Sequence, residues 1–200
     1  MAGKDLMRFD STDFQLTKLV GALSAAAAAI ITVIVPIVRW VQGEPLVALV
    51  DSSTAIANPA PGVTVTQGPQ MELEFAAPTA MQWLASLIPA AFFVALLAAA
   101  VWLLWRLLDD VRAGQPFSLM NVRRLRGIAG VIVFGGFVHF TIEGLAAGYL
   151  LRQAGVVDIF LVNESTVQDF LVVGLGFLLA ALAEAFRRGI ELEDDVEGLV

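Results

Sequence analysis

Four long runs with no charged side chain, or with only one, decide what this chain can fold into. Leu19–Val38 is 20 residues without a charge, and Phe75–Trp105 is 31. Gly127–Leu151 is 25 residues broken only by Glu143, and Phe170–Phe186 is 17 broken only by Glu184. A helix crossing a hydrocarbon core of about 30 Å needs about 17–25 apolar residues at about 1.5 Å each. The first three runs are long enough. The fourth is short, but Arg187 and Arg188 beyond it can snorkel and bring Glu184 to the headgroups. Composition agrees: 58% of residues are hydrophobic, 16% are charged and mean hydropathy is +0.80. A soluble domain is nearer half apolar and a quarter charged. The expected fold is an all-α integral membrane protein, one domain, with transmembrane helices at about 18–41, 80–108, 127–151 and 169–187.

Lys and Arg positions set the orientation. With the N-terminus cytoplasmic, the inner face holds Lys4, Arg8, Lys18, Arg106, Arg112, Arg123, Arg124, Arg126, Arg187 and Arg188. The outer face then holds only Arg39 and Arg152. That bias places both termini in the cytoplasm, with an outer loop at 43–78, a cytoplasmic loop at 109–126 and a cytoplasmic tail at 188–200. Trp40 and Trp83 then fall at the outer ends of the first two helices, and Trp102 and Trp105 at the inner end of the second. A cleaved signal peptide is the rival reading of the first helix. Its run exceeds an h-region of about 7–15 residues and ends in Val38-Arg39-Trp40 instead of small residues, so it reads as retained.

The aqueous segments carry the local signals. "DSTDFQL" offers Ser11 or Asp13 as a cap for the first helix. In the outer loop, "VTVTQGPQMELEF" has two alternating apolar–polar runs flanking Gly68-Pro69, which predicts a small extracytoplasmic β-hairpin cap. "PLVALVD" before it can supply a third strand. The cap either packs over the outer bundle or acts as a ligand-sensing lid. In the cytoplasmic loop, Gly114 can stop one helix, Pro116 cannot continue it, and Ser118 can cap the next. From Leu119, apolar Val122 and Leu125 alternate with Arg123, Arg124 and Arg126, predicting a basic amphipathic helix along the inner surface that bends into the third span. Gly144 and Gly148 form a small-xxx-small pair suited to close helix packing.

Few residues can carry chemistry. The chain has no cysteine, so disulfides, thiolate metal sites and cysteine catalysis are excluded. His139 is the sole histidine, which rules out bis-histidine haem ligation within the chain and leaves any nucleophile–base pairing without a motif. No Gly-rich phosphate loop is present, and "GLGFLLAALAEAF" is a helix-packing pattern. No enzyme, metal or cofactor is expected. His139 and Glu143 are four apart and share a helix face within the membrane. They either bind a proton, cation or polar ligand, or simply pair with each other and reach water. The three clustered arginines are read as topology and anionic-lipid contacts, without direct nucleic-acid binding.

The tail is acidic yet dotted with apolar residues. Glu191, Glu193, Asp194, Asp195 and Glu197 interleave with Ile190, Leu192, Val196, Leu199 and Val200. Anionic lipid repels such a segment. It is either a latch onto Arg123, Arg124 or Arg126, or a docking peptide built from Arg187, Arg188, Glu191, Leu192, Asp194, Asp195 and Val196.

"GQPFSLMNVRRLRGIA" and "LAEAFRRGIELEDDVEGLV" resemble the two hallmark segments of a bacterial membrane family catalogued as domain of unknown function 2975. The shared features are a Gly-x-Pro-Phe turn, an Asn-x-x-Arg-Leu helix and an Ala-Glu-x-Phe-x-x-Gly segment leading to an acidic tail. Here they fall on Gly114, Pro116, Phe117, Asn121, Arg124 and Leu125, then on Ala183, Glu184, Phe186, Gly189, Glu191, Asp194 and Asp195. This chain ends Glu197-Gly198-Leu199-Val200, where many members end in Asp-Leu-Thr-Val. The resemblance implies four helices and a small helix-turn-helix transcription regulator as cytoplasmic partner. The function expected is a non-enzymatic protein of the bacterial inner membrane that tethers or controls such a regulator, with homo-oligomers permitted. The alternatives are a small transporter or ion-conducting bundle using His139 and Glu143, or an accessory subunit of a larger membrane complex.

Overall fold

The computed structural model describes residues 11–50, 58–68, 70–113, 118–155 and 167–197. Four helices among them are long and apolar enough to cross a membrane, as the uncharged runs require. The first span is α1 (Ser11–Ala29), a π-helical turn (Ile30–Ile34) and α2 (Val35–Val41). Pro36 lacks an N–H and its ring crowds the preceding turn, so the wider π turn lies where an ordinary turn fits worst. The second span is α3 (Ala80–Arg112). It opens with a capping box: the Thr79 hydroxyl accepts from the Gln82 N–H, and the Gln82 side chain accepts from the Thr79 N–H.

The third span is α4 (Leu119–Gly130), a second π turn (Val131–Gly135) and α5 (Gly136–Gln153). This corrects the expectation of a surface helix bending into a span that starts at residue 127. Ser118 does cap α4, accepting from the Asn121 N–H at 3.2 Å, but helical backbone then continues to Gln153. Burial explains the difference, because Val122 and Leu125 are 3% and 7% exposed and pack against helices instead of lipid. The fourth span, α6 (Val167–Glu197), also outruns its expected end at residue 187. Glycine within a helix costs roughly 0.5–1 kcal/mol against alanine. At Gly189 that cost is offset by ion pairs from Glu184 to Arg188 and from Arg187 to Glu191 and by packing of Ile190.

The outer-loop sequence folds as a three-stranded antiparallel sheet of β1 (Leu46–Val50), β2 (Val63–Thr66) and β3 (Met71–Phe75). The hairpin of β2 and β3 forms as its alternation requires, and β1 pairs on the other edge of β3, giving the order β1-β3-β2. Leu46 and Val63 both stand opposite Phe75, and Ala48 and Val65 both stand opposite Leu73. One face of the sheet is buried: Leu46, Val50 and Met71 are 2–3% exposed and Leu73 is fully buried. That face packs with Trp83 at the start of α3 and with Leu150, Leu151 and Ala154 at the end of the third span. Trp40 stacks on Trp83 with ring centroids 6.1 Å apart. The sheet therefore closes one end of the bundle, and it is joined there by a hydrogen bond from the Ala60 N–H to the Ala154 carbonyl.

Candidate functional site

The opposite end of the bundle is where the apolar runs stop and charges begin. Lys18 of α1 pairs with Asp109 near the end of α3, and the Trp105 indole N–H donates to the Lys18 carbonyl at 3.2 Å. The Arg106 guanidinium lies 5.4 Å from the centre of the Trp102 ring. One position further along α3, Asp110 accepts from Arg124 of α4 at 2.5 Å. The same Arg124 nitrogen also donates to the Arg106 carbonyl at 2.7 Å and to the Asn121 side-chain oxygen at 3.0 Å. Asn121 is only 4% exposed, so its amide has to find partners inside the protein.

The connection continues into the fourth span. Arg126 of α4 donates to Glu184 of α6 at 2.8 Å. Glu184 also accepts two bonds from Arg187, at 2.6 and 3.0 Å, and one from Arg188 at 3.2 Å. Arg187 in turn reaches Glu191. A chain of ion pairs thus links all four spans in order: Lys18–Asp109, Asp110–Arg124, then Arg126–Glu184. Beneath it lies an apolar seam. Val122 and Leu125 of α4 pack on Ala183 of α6, joined by Leu107, Leu179, Phe186 and Ile190. Ala183 is fully buried, and its small side chain lets the two helices approach.

This arrangement gives the two hallmark segments a common structural role. Asn121 and Arg124 fasten the third span to the second, while Ala183, Glu184 and Phe186 fasten the fourth span to the third. Gly114, Pro116 and Phe117 lie outside the described residues. Arg123 is on α4 and exposed. Arg187, Arg188 and Glu191 all take part in ion pairs around Glu184 or along α6. The backbone at Leu192, Asp194, Asp195 and Val196 is helical, and their side chains lie outside the described set. Of the proposed latch partners, Arg126 takes Glu184 from within the span, and Arg124 takes Asp110. Glu191, the first tail acid, pairs within its own helix. Asp109, Asp110 and Lys18 were not singled out by the sequence reading as members of a site, because their partners lie on other helices.

His139 and Glu143 stand apart from this network, in the half of the bundle nearer the sheet, where both border a cavity with β1. They share a helix face as their spacing requires, with His139 Nε2 3.5 Å from Glu143 Oε2. Among the described residues no group of three His, Asp or Glu side chains is placed to hold a metal ion.

No curated protein and no solved structure matches the chain. A family model does match it, over residues 66–199, taking in the two hallmark segments up to residue 199, the central strand β3 and the last three spans. The chain belongs to the family described as protein of unknown function (DUF2975).

Proposed function

We propose that this is a multi-pass inner-membrane protein whose charged end faces the cytoplasm and docks a small helix-turn-helix transcription regulator, with no catalysis of its own. The observation that carries the reading is the unbroken continuation of α6 to Glu197, well past its apolar part. Leu179, Ala183, Phe186 and Ile190 form the stripe that packs on α4. At about 100° per residue, positions 192 and 196 fall about 200° and 240° round from position 190. Positions 192 and 196 thus fall outside that stripe, amid five acids and no base between residues 190 and 197. An acidic helix with spaced apolar anchors suits a basic partner with an apolar groove. The cytoplasmic placement rests on basic residues: Lys18, Arg106, Arg112, Arg123, Arg124, Arg126, Arg187 and Arg188 cluster at this end, against Arg39 and Arg152 at the sheet end.

The test is co-purification of the tagged full chain from its own membranes, with the recovered proteins screened for a small helix-turn-helix protein; recovery of none contradicts the reading. Truncation after Glu191 keeps Ile190 and the Arg187–Glu191 pair, so the bundle should survive while the regulator is lost. Exchanging Asp194 and Asp195 for Lys should have the same effect. Undiminished recovery of the regulator with both variants contradicts the reading.

A further inference from the structure

The ring of His139 borders two cavities at once. The first, about 470 Å³, lies between β1 and the helices and includes Thr32, Ser86 and Ala147 in its lining. The second, about 530 Å³, is strongly apolar and is lined from α3, the third span and α6 by Leu96, Phe137, Phe140, Phe170 and Val173. Phe93, His139 and Glu143 belong to both, so the two chambers meet at these three side chains. Each volume falls within the roughly 300–1,000 Å³ of small-molecule sites.

The junction is rich in acceptors and poor in donors. Among the described residues, Glu143 is the only formally charged one in either lining. Thr32 spends its hydroxyl proton on the Ala28 carbonyl at 2.8 Å, which leaves its oxygen as an acceptor. His139 Nε2 faces the Glu143 carboxylate at 3.5 Å, favouring the tautomer with its proton on Nε2. Nδ1 is then a lone-pair acceptor, and it is buried with no partner among the described residues. The ring is held in place by stacking on Phe92 at 6.4 Å and by a tilted contact with Phe93 at 5.5 Å.

We propose that the two cavities form one binding site for a single-chain amphiphile with a primary ammonium head. The head donates to Glu143 where the two cavities meet beneath the sheet, and the chain occupies the apolar chamber. An ammonium is selected because it only donates and carries the charge opposite to the one acid present. This site is independent of the cytoplasmic docking surface.

A single histidine makes the test clean. The full chain, ¹⁵N-labelled at His139 and placed in phosphatidylcholine nanodiscs, is titrated with dodecylammonium, dodecanol or dodecanoate while the imidazole ¹⁵N shift is read. A saturable shift is expected with dodecylammonium alone, weakened about three- to fivefold by Glu143→Gln. Gly136 lines the apolar chamber, and a Cβ built there meets nothing within 4 Å, so Gly136→Leu should fill the space without a clash. That variant should keep its circular dichroism and lose the saturable shift. Equal saturation with dodecanol, unchanged binding in Gly136→Leu, or displacement of dodecylammonium by phosphatidylethanolamine in the bilayer overturns the proposal.

Discussion

Replacing Gly176 by Ala probes the tightest approach between the third and fourth spans. A Cβ at Gly176 would lie 2.6 Å from Val133 Cγ2, 3.1 Å from Ile132 Cγ2 and 3.5 Å from the Ala129 carbonyl oxygen. Carbon atoms rest at about 3.5–4.0 Å, so relief requires a separation of about 1 Å. Val133 is β-branched and stiff at χ1, and it belongs to the π turn, so little of that movement comes from side-chain rotation. The helices must part, at the roughly 1–3 kcal/mol typical of overpacking. Gly174, two positions earlier on α6, provides the control, since a Cβ there meets nothing within 4 Å. Gly174→Ala should be neutral or stabilising by up to about 1 kcal/mol, because alanine has less backbone freedom to lose. Gly135→Ala should fall between them. Its clash at 2.5 Å is with Leu96 Cδ2, the far end of a side chain that can rotate away. Unfolding by sodium dodecyl sulfate in mixed micelles, followed by far-ultraviolet circular dichroism, ranks the three. Equal midpoints for Gly176→Ala and Gly174→Ala refute the close approach.

Two further predictions concern the ends of the bundle. Arg124→Ala removes three charge-assisted hydrogen bonds and deprives Asn121 of a partner, so it should cost about 1.5–3 kcal/mol in the same unfolding assay, whereas exposed Arg123→Ala should stay within about 0.5 kcal/mol. Leu73→Ala in the central strand leaves a hole at a fully buried site, and it should lower stability by about 2–5 kcal/mol while blue-shifted fluorescence from buried Trp83 moves to the red.

How much of this was legible depended on whether a residue's partner was near in sequence. The spans were legible because a helix in lipid satisfies its own backbone, leaving length and charge as the visible constraints. The β2–β3 hairpin was legible for a similar reason: its alternation and its Gly68-Pro69 break lie within one short segment. The place of β1 was not, because its pairing with β3 crosses the intervening loop. The extension of α6 through Gly189 was obscured by a residue that usually weakens helices, and the stabilising partners, α4 and the Glu184–Arg188 pair, became visible only with the fold. The ion-pair chain was hidden most completely. Arg124 was noted only as part of a basic helix and Asp110 was passed over, and nothing in their spacing says that they meet. The Thr79 and Gln82 capping box could have been read from "TAMQ" and was overlooked because the apolar run beside it dominated.

The sheet and the ion-pair chain should lie on opposite sides of a membrane, with the ion-pair chain on the cytoplasmic side. The absence of cysteine allows single labels to be placed without a background. Thr64 is exposed on the sheet, and a Cβ at Gly189 of α6 meets nothing within 4 Å, so both positions accept cysteine readily. In intact cells stripped of any outer membrane, an impermeant maleimide should label Thr64→Cys at once and Gly189→Cys only after the membrane is opened. Labelling of Gly189→Cys from outside while Thr64→Cys stays protected contradicts the orientation, and labelling of both contradicts the four-span fold in a membrane.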